Sequence, residues 1–375
     1  MILLIGNYPL DRQQSMQRFA MMMFQGLNAC GVPAELIQPE PFFGRFHYAG
    51  RFVAKWLGYL DKFILFPRTV RKKLRERPAL VHICDHSNAM YARAISETPV
   101  VVTCHDLLAV RGARGEPTGC PASATGKVLQ RWIVAGLQKS TAIACVSHAT
   151  LDDVQRLIPQ QGGRPQFEVI PLGLHYPYRK LAPGEARKRL AGLSPLGAGA
   201  SFVLHVGSNV GYKNREGVLR IFARSREKWN GLLVFAGEPL SGSLHTLSRQ
   251  LSISDRIVEL PGISNEILEA LYNCAVALLY PSIAEGFGWP IAEAQACGCP
   301  VLCADRAPMA DVAGQAGLTH NPADEAGFAA DILRLGDPAE RELWSARSLE
   351  NAQRFSTARM ISEYRQLYRA LAPVP

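Results

Sequence analysis

The sequence lacks any run of about 18 consecutive apolar residues, so it offers no membrane-spanning helix. Low-complexity tracts are missing, which excludes global disorder, and no tandem repeat of period about 20–50 residues is visible. The start, MILLIGNYPL, has neither a basic n-region nor a small-residue cleavage site and reads as a first β-strand, not a signal peptide. No G-x-G-x-x-G run follows a strand, which argues against a dinucleotide-dependent dehydrogenase, and neither a Walker A string nor G-x-S-x-G occurs. Paired C-x2-C spacing is also missing: Cys297, Cys299 and Cys303 do not fall at zinc-ligand intervals, and no metal site is expected. The nine cysteines are an odd number and sit mostly in apolar stretches such as VHIC and VVTC. That suits buried free thiols in a reducing cytosol better than a disulfide framework.

What is present is 375 residues, 48% of them apolar, enough for two or three domains at roughly 150 residues each. Short apolar runs alternate with helical patterns almost throughout. The strand candidates are ILLIG, AELIQ, ALVHIC, VVVTC, AIACVS and FEVIPL, then FVLHVG, LLVFAG, IVELPG, VALLYPS and PVLCAD. Their continuous apolarity says that both sheet faces are covered, as in parallel α/β sheets. A stretch rich in Gly, Pro and Ala at 172–200 marks a break between two βα series. The fold class expected is therefore α/β: two Rossmann-like domains, 1–180 and 181–355, facing a central cleft. The last helix, within 356–375, is a candidate to return to the first domain. In open α/β sheets ligands bind beyond the carboxyl ends of strands, so the informative residues should follow the strand candidates.

Charge is unevenly spread. The chain carries 41 Lys/Arg against 32 Asp/Glu, and the excess lies in the first half. Residues 41–77 hold ten basic residues (Arg45, Arg51, Lys55, Lys62, Arg68, Arg71, Lys72, Lys73, Arg75, Arg77) against only Asp61 and Glu76. Nine aromatics are interleaved, among them Phe42, Phe43, Phe46, Phe52, Trp56, Tyr59, Phe63 and Phe66. Aromatic rings favour headgroup depth and cations favour anionic lipid, so the segment is a candidate for docking to an anionic membrane surface. Two other readings stand beside it: aromatics facing the core under solvated charges, and nucleic-acid binding, for which no fold signature appears.

The richest segment is VALLYPSIAEGFGWPIAEAQACGCPVLCAD, residues 276–305. A strand ends near Pro281, a turn Glu285-Gly286-Phe287-Gly288 follows, and Pro290 sits where a helix would start. Glycines allow close backbone approach, and the first-turn N–H groups with the helix dipole favour a phosphate there. Glu285 and Glu293 flank the turn as E-x7-E; a carboxylate accepts only, and its two oxygens can grip a vicinal diol of a ribose or a hexose.

On PSIAEGFGWPIAEAQACGCPV the chain resembles the retaining glycosyltransferases of family 4, which have the GT-B fold. Supporting motifs run along nearly the whole chain. The resemblance implies that Glu285 contacts hydroxyls of the donor sugar, that Glu293 holds the ribose, and that the Gly286–Gly288 backbone, with Phe287, meets sugar and phosphates. HVGSNVGYKNREGVLRIFA (205–223) looks like the first strand, loop and helix of the nucleotide-binding half, with Lys213 reaching the diphosphate. Family members often carry an Arg after the strand-ending glycine, Gly207 here. In this chain that place is Ser208, and Arg215 is the candidate to compensate. Ile263, in the loop Gly262-Ile263-Ser264, would border the base.

In the first half, VVVTCHDLLAV matches the family's strand ending in His-Asp, so His105 would face donor sugar and acceptor, with Asp106 orienting its ring. Asp85, His86 and Asn88 follow another strand end and are acceptor candidates. The loop after the first strand has Gln13, Gln14 and Ser15 where relatives are often Gly-rich, and Gln14 and Ser15 are assigned to the acceptor. Ser147 resembles a serine-containing turn of the family, although a helix N-cap explains it as well. The stripe Met16, Phe19, Met23, Phe24 and Leu27 reads as core.

The resemblance implies a retaining hexosyltransferase without a cofactor; no D-x-D is present, so the metal-chelating arrangement of the other large glycosyltransferase fold is missing and metal-independent transfer is expected. The donor would be GDP-mannose or a UDP-sugar and the acceptor a glycan or lipid-linked molecule, in the cytoplasm or peripherally on the inner face of the plasma membrane. Two rivals stay open: a sugar-nucleotide epimerase on the same fold, and a non-catalytic sugar-nucleotide-binding protein. Nucleic acid is not an expected partner.

Overall fold

The computed structural model describes all residues except Arg12, Gly50, Gln161, Gly163, Arg164, Pro183, Val374 and Pro375. The side chains of residues 47–49, 51, 52, 54 and 55 also lie outside the description, and with them Arg51, Phe52 and Lys55 of the basic segment. The chain divides into two units, one of Met1–His175 with Thr357–Pro375 and one of Tyr176–Ser356. The last helix, Thr357–Leu371, thus belongs to the first unit.

Each unit is built on a six-stranded, wholly parallel sheet. In the first, β1 (Ile2–Ile5), β2 (Ala34–Ile37), β3 (Leu80–Ile83), β4 (Val100–Cys104), β5 (Ala142–Cys145) and β6 (Gln166–Val169) lie in the order β2-β1-β3-β4-β5-β6. In the second, β7 (Phe202–Gly207), β8 (Leu232–Gly237), β9 (Ile257–Leu260), β10 (Ala277–Tyr280), β11 (Val301–Ala304) and β12 (Gly317–His320) lie in the order β12-β11-β10-β7-β8-β9. The apolar runs read from the sequence account for the first eleven strands. The twelfth, GLTH, escapes that reading because a short, half-buried edge strand needs no continuous apolar run.

The inner strands β1, β3, β4 and β5 are buried along their whole length, as a sheet covered on both faces requires. Helix starts follow side-chain chemistry: Ser123, Ser241, Ser264 and Asp324 each accept a backbone N–H at an N-terminus. Ser147 does the same for the helix His148–Leu157, accepting from the Thr150 amide at 3.1 Å, so the capping explanation holds for it. Phe19, Met23 and Leu27 of the helix Gln14–Ala29 are fully buried, and the stripe is core.

The last helix is tied to the first sheet by a buried polar chain. His82 on β3 bonds Thr103 Oγ1 at 2.8 Å through Nε2 and Tyr368 Oη at 2.6 Å through Nδ1; Thr103 in turn meets Tyr364 Oη at 2.7 Å. Burial and the nearby His105 push His82 down to about 3, so the imidazole is neutral in the native state. Burial also pushes His205 on β7 down to about 3, helped by the Arg215 charge. The unfolded chain protonates both rings below about pH 6.5. Their contribution to stability is therefore complete above that pH and is lost as the pH falls towards 3.

Two outcomes are expected in urea unfolding. The midpoint falls progressively as the buffer is taken from pH 7 to pH 4. Thr103→Val, which leaves His82 Nε2 and Tyr364 Oη without their common partner, lowers stability by about 1–3 kcal/mol.

Candidate functional site

A parallel sheet opens a crevice where consecutive strands run off in opposite directions from one another, because the two following loops diverge there. In the second unit that point lies between β7 and β10: β8 and β9 lie on one side, β11 and β12 on the other. The loops leaving β7 and β10 carry Lys213 and Glu285. Backbone ties hold them together, Ile283 N donating to Tyr212 O at 2.7 Å and Asn214 Nδ2 to Pro281 O at 3.0 Å. Asn214 itself takes a left-handed conformation (φ 53°) and caps the helix Arg215–Ser225 through the Gly217 amide.

Between these ties the Lys213 ammonium donates to both Glu285 oxygens, at 2.7 and 3.0 Å, and to Tyr280 Oη at 2.7 Å. Burial, and next the Glu285 charge, push the Tyr280 phenol well above its ordinary range, so it stays protonated. His205 lies beside the pair, bonded through Nδ1 to Leu279 O at 3.0 Å; being neutral, it adds no second charge to that of Lys213. A cation and an acceptor-only carboxylate thus stand side by side at the strand ends. One suits a diphosphate, the other sugar hydroxyls.

The turn that follows is shaped by Gly288, whose φ of 98° side chains rarely adopt, and a Cβ there would also lie 3.3 Å from Ile291. The helix Trp289–Ala296 starts at once, with Pro290 in its first turn. Phe287 is buried edge-on against Phe355, with ring centres 5.6 Å apart. Glu293 is buried in the same helix, and one of its oxygens accepts from Tyr272 Oη at 2.9 Å. Burial and the Glu293 charge raise the Tyr272 phenol far above its usual value, which makes it a lasting donor to that carboxylate. Gly207 ends β7, and Ser208 and Ile263 are half-buried in their loops.

Arg215 does not stand in for a phosphate-binding arginine at 208. It is almost wholly buried, and its guanidinium donates to the carbonyls of Gly207 (2.6 Å) and Glu238 (2.7 Å) and to Asn209 Oδ1 (2.7 Å). It clamps the ends of β7 and β8. Tyr272, Tyr280 and Asn209 were missed by sequence reasoning; only Tyr280, directly before the PS of the motif, carried a positional hint.

In the first unit the same reversal falls between β1 and β3. Asn7, after β1, donates to Asp85 Oδ2, after β3, at 2.5 Å and to Gln13 Oε1 at 2.6 Å. Asp85 also accepts from the Ser87 amide and hydroxyl and lies 3.1 Å from His86 Nδ1. Burial works against the Asp85 charge. His86, His105 and Ser87 outweigh it and hold the carboxyl below its usual range. His86 is raised: burial opposes its charge, but Asp85 outweighs burial. Asn88 is buried beside them, its amide 3.5 Å from Gly6 O.

His105, after β4, packs edge-on against Phe19, and its Nε2 meets the Cys84 carbonyl at 3.0 Å. A carbonyl only accepts, so Nε2 carries the proton and Nδ1 is bare. Burial lowers the ring's pKa, and Nδ1 has no partner among the described residues. One assignment needs correcting here. Asp106 does not orient the His105 ring: it accepts the Leu108 amide at 3.0 Å, while Cys84 O sets the ring. The loop residue brought to the Asn7–Asp85 pair is Gln13, whereas Gln14 and Ser15 are exposed in the first turn of the following helix.

Lys213→Met leaves the Glu285 carboxylate without its cation in a mostly enclosed position, at a cost on the order of 2 kcal/mol. Adding Glu285→Gln recovers most of that loss. Urea midpoints of the wild type, both single variants and the double variant measure the coupling.

Comparison with known proteins bears on the family and the fold. Residues 194–346 match the family model described as Glycosyl transferases group 1, and residues 16–175 match that described as Glycosyltransferase Family 4. O-antigen chain mannosyltransferase B of Escherichia coli is 41% identical over 110 residues, 28% of this chain and 29% of that protein. A D-inositol 3-phosphate glycosyltransferase of Nocardiopsis dassonvillei is 31% identical over 239 residues, 59% of this chain and 54% of that one. The chain therefore matches less than two thirds of the length of either relative. The crystal structure of HepE from Anabaena in complex with UDP-glucose aligns with a TM-score of 0.72 over 99% of both chains, at 17% identity. With the two family models meeting these two parallel sheets, the chain belongs to the family-4 type of glycosyltransferases and has the GT-B fold.

Proposed function

We propose that the protein is a retaining hexosyltransferase that moves mannose or a related hexose from a nucleotide-diphosphate sugar, GDP-mannose or a UDP-sugar, to a glycan or lipid-linked acceptor. The observation that carries this reading is the Lys213–Glu285 pair at the strand-order reversal, with a glycine turn and a helix N-terminus directly behind it. The mannosyltransferase relative and the UDP-glucose held by HepE support a nucleotide-sugar donor. The buried free thiols suit a cytoplasmic setting, where such donors are made.

On this reading, departure of the nucleoside diphosphate builds negative charge on its terminal oxygens. Lys213 and the first-turn amides of the helix Trp289–Ala296 stabilise that charge without a metal ion. Glu285 and the Gly286–Gly288 turn orient the sugar, and Glu293, steadied by Tyr272, holds the ribose. The acceptor hydroxyl attacks the anomeric carbon on the face that the phosphate leaves. Its oxygen forms the new glycosidic bond as the old C–O bond breaks, and its proton passes to the departing phosphate oxygen. Asp85, His86 and Asn88 are assigned to the acceptor, together with the bare Nδ1 of His105.

Thermal-shift screening against GDP-, UDP-, ADP- and dTDP-sugars identifies the donor, since saturating ligand at about a hundredfold excess over Kd stabilises by roughly 2.7 kcal/mol. With that donor, Glu285→Ala is expected to lower kcat/KM at least ~100-fold, and EDTA to leave the rate unchanged. Wild-type turnover in Glu285→Ala refutes the sugar-orienting role, and a strict Mg²⁺ requirement refutes the metal-free account. Donor isomerisation without any acceptor makes the protein an epimerase instead.

A further inference from the structure

A lysine ammonium carries three N–H groups, and those of Lys213 face three acceptors: the two Glu285 oxygens, at 2.7 and 3.0 Å, and Tyr280 Oη at 2.7 Å. Glu285 is held as fully. Both of its oxygens meet that ammonium, and the Tyr280 hydroxyl, an acceptor towards Lys213, is hydrogen-bonded to the same carboxylate. The two side chains are mostly enclosed, 15% and 9% exposed, so water screens little of their attraction. The ties from Ile283 N to Tyr212 O and from Asn214 Nδ2 to Pro281 O hold the two loops together beside the pair. Opening it therefore calls for rotation of the side chains, with the loops left in place.

Arg215 offers no relief, because its guanidinium is committed to Gly207 O, Glu238 O and Asn209 Oδ1. His205 is kept neutral by burial and brings no charge either. A diphosphate oxygen thus cannot simply be added to Lys213: it has to displace Glu285 from at least one N–H. The released carboxylate, mostly enclosed and beside a phosphate, then needs new donors. Sugar hydroxyls are such donors. An intact nucleotide-sugar exchanges the pair for two matched contacts, phosphate on Lys213 and hydroxyls on Glu285. A nucleoside diphosphate without its sugar makes the first exchange and leaves Glu285 unpaired.

We infer that the Lys213–Glu285 pair is a latch that opens for the intact donor and closes again when the sugar has left, loosening the hold on the nucleoside diphosphate product. The inference rests on the donor reading proposed above and goes beyond it. It gives Glu285 a second task, competition with the diphosphate for Lys213 after transfer. Tyr280 anchors the ammonium while it changes partners.

The test is calorimetric titration of the full chain with GDP, UDP, ADP and dTDP in the presence of EDTA. Wild type, Glu285→Gln, Lys213→Met and the double variant are compared, and circular dichroism confirms that each is folded. Lys213→Gln, whose amide still donates to Glu285, replaces Lys213→Met should the latter not fold. For the diphosphate that the wild type binds, Glu285→Gln is expected to bind at least ~10-fold more tightly, and Lys213→Met more weakly. In the Lys213→Met background Glu285→Gln changes affinity by at most ~2-fold, because no ammonium is left to release. Binding by Glu285→Gln that is no tighter than that of the wild type overturns the latch and leaves the donor reading standing. A gain of equal size in the Lys213→Met background also overturns it, since Glu285 then acts only as a negative charge near a phosphate. If none of the four diphosphates binds the wild type or a variant, the donor reading fails and the latch falls with it.

Discussion

A parallel sheet whose strand order reverses cannot close the space beyond its carboxyl ends, because the loops on either side of the reversal travel apart. The candidate site residues of both units are arranged around that constraint. In the second sheet the reversal between β7 and β10 brings Lys213 and Glu285 together from loops some seventy residues apart. In the first, the reversal between β1 and β3 brings together Asn7 and Asp85. The two halves differ in charge at these points: one presents an ammonium beside a carboxylate, the other a carboxylate held by amides, a hydroxyl and the His86 imidazole. The first combination suits an anionic leaving group attached to a sugar. The second suits a partner rich in hydroxyls.

The surrounding burial decides which groups carry charge. His82 and His205 are kept neutral, and the phenols of Tyr272 and Tyr280 are kept protonated, because none can be ionised cheaply inside the sheets. Tyr272 then acts as a fixed donor that steadies Glu293, and hydrogen bonds of Tyr364 and Tyr368 fasten the last helix to β4 and β3. Arg215, an arginine drawn inside, is spent on the carbonyls that finish β7 and β8, at the end from which the loop carrying Lys213 departs.

Much of this was legible beforehand. Eleven strands were legible as largely apolar runs, and for the inner ones continuous apolarity follows because a covered parallel strand must be apolar on both faces. The E-x7-E pair and its glycine turn were readable because their spacing is local, confined to one turn and one helix. The failures share a cause. Whether Arg215 reaches a ligand or a carbonyl, whether Gln13 or its neighbours meet Asn7, and whether Asp106 or Cys84 O orients His105 all depend on chain segments distant in sequence. Residue type cannot reveal such partners.

The amino-acid order by itself determined the alternation of strand and helix, the parallel layering and the acidic pair around the glycine turn, since each follows from periodicity or from backbone preferences within a few residues. Only the tertiary structure decided the rest: the bidentate contact of Lys213 with Glu285, the neutrality of His82 and His205, and the exposure of Trp56 and Trp132. Those depend on which side of a helix finds a sheet to cover and on which charges are left in a low-dielectric interior. Both are properties of packing between segments far apart along the chain.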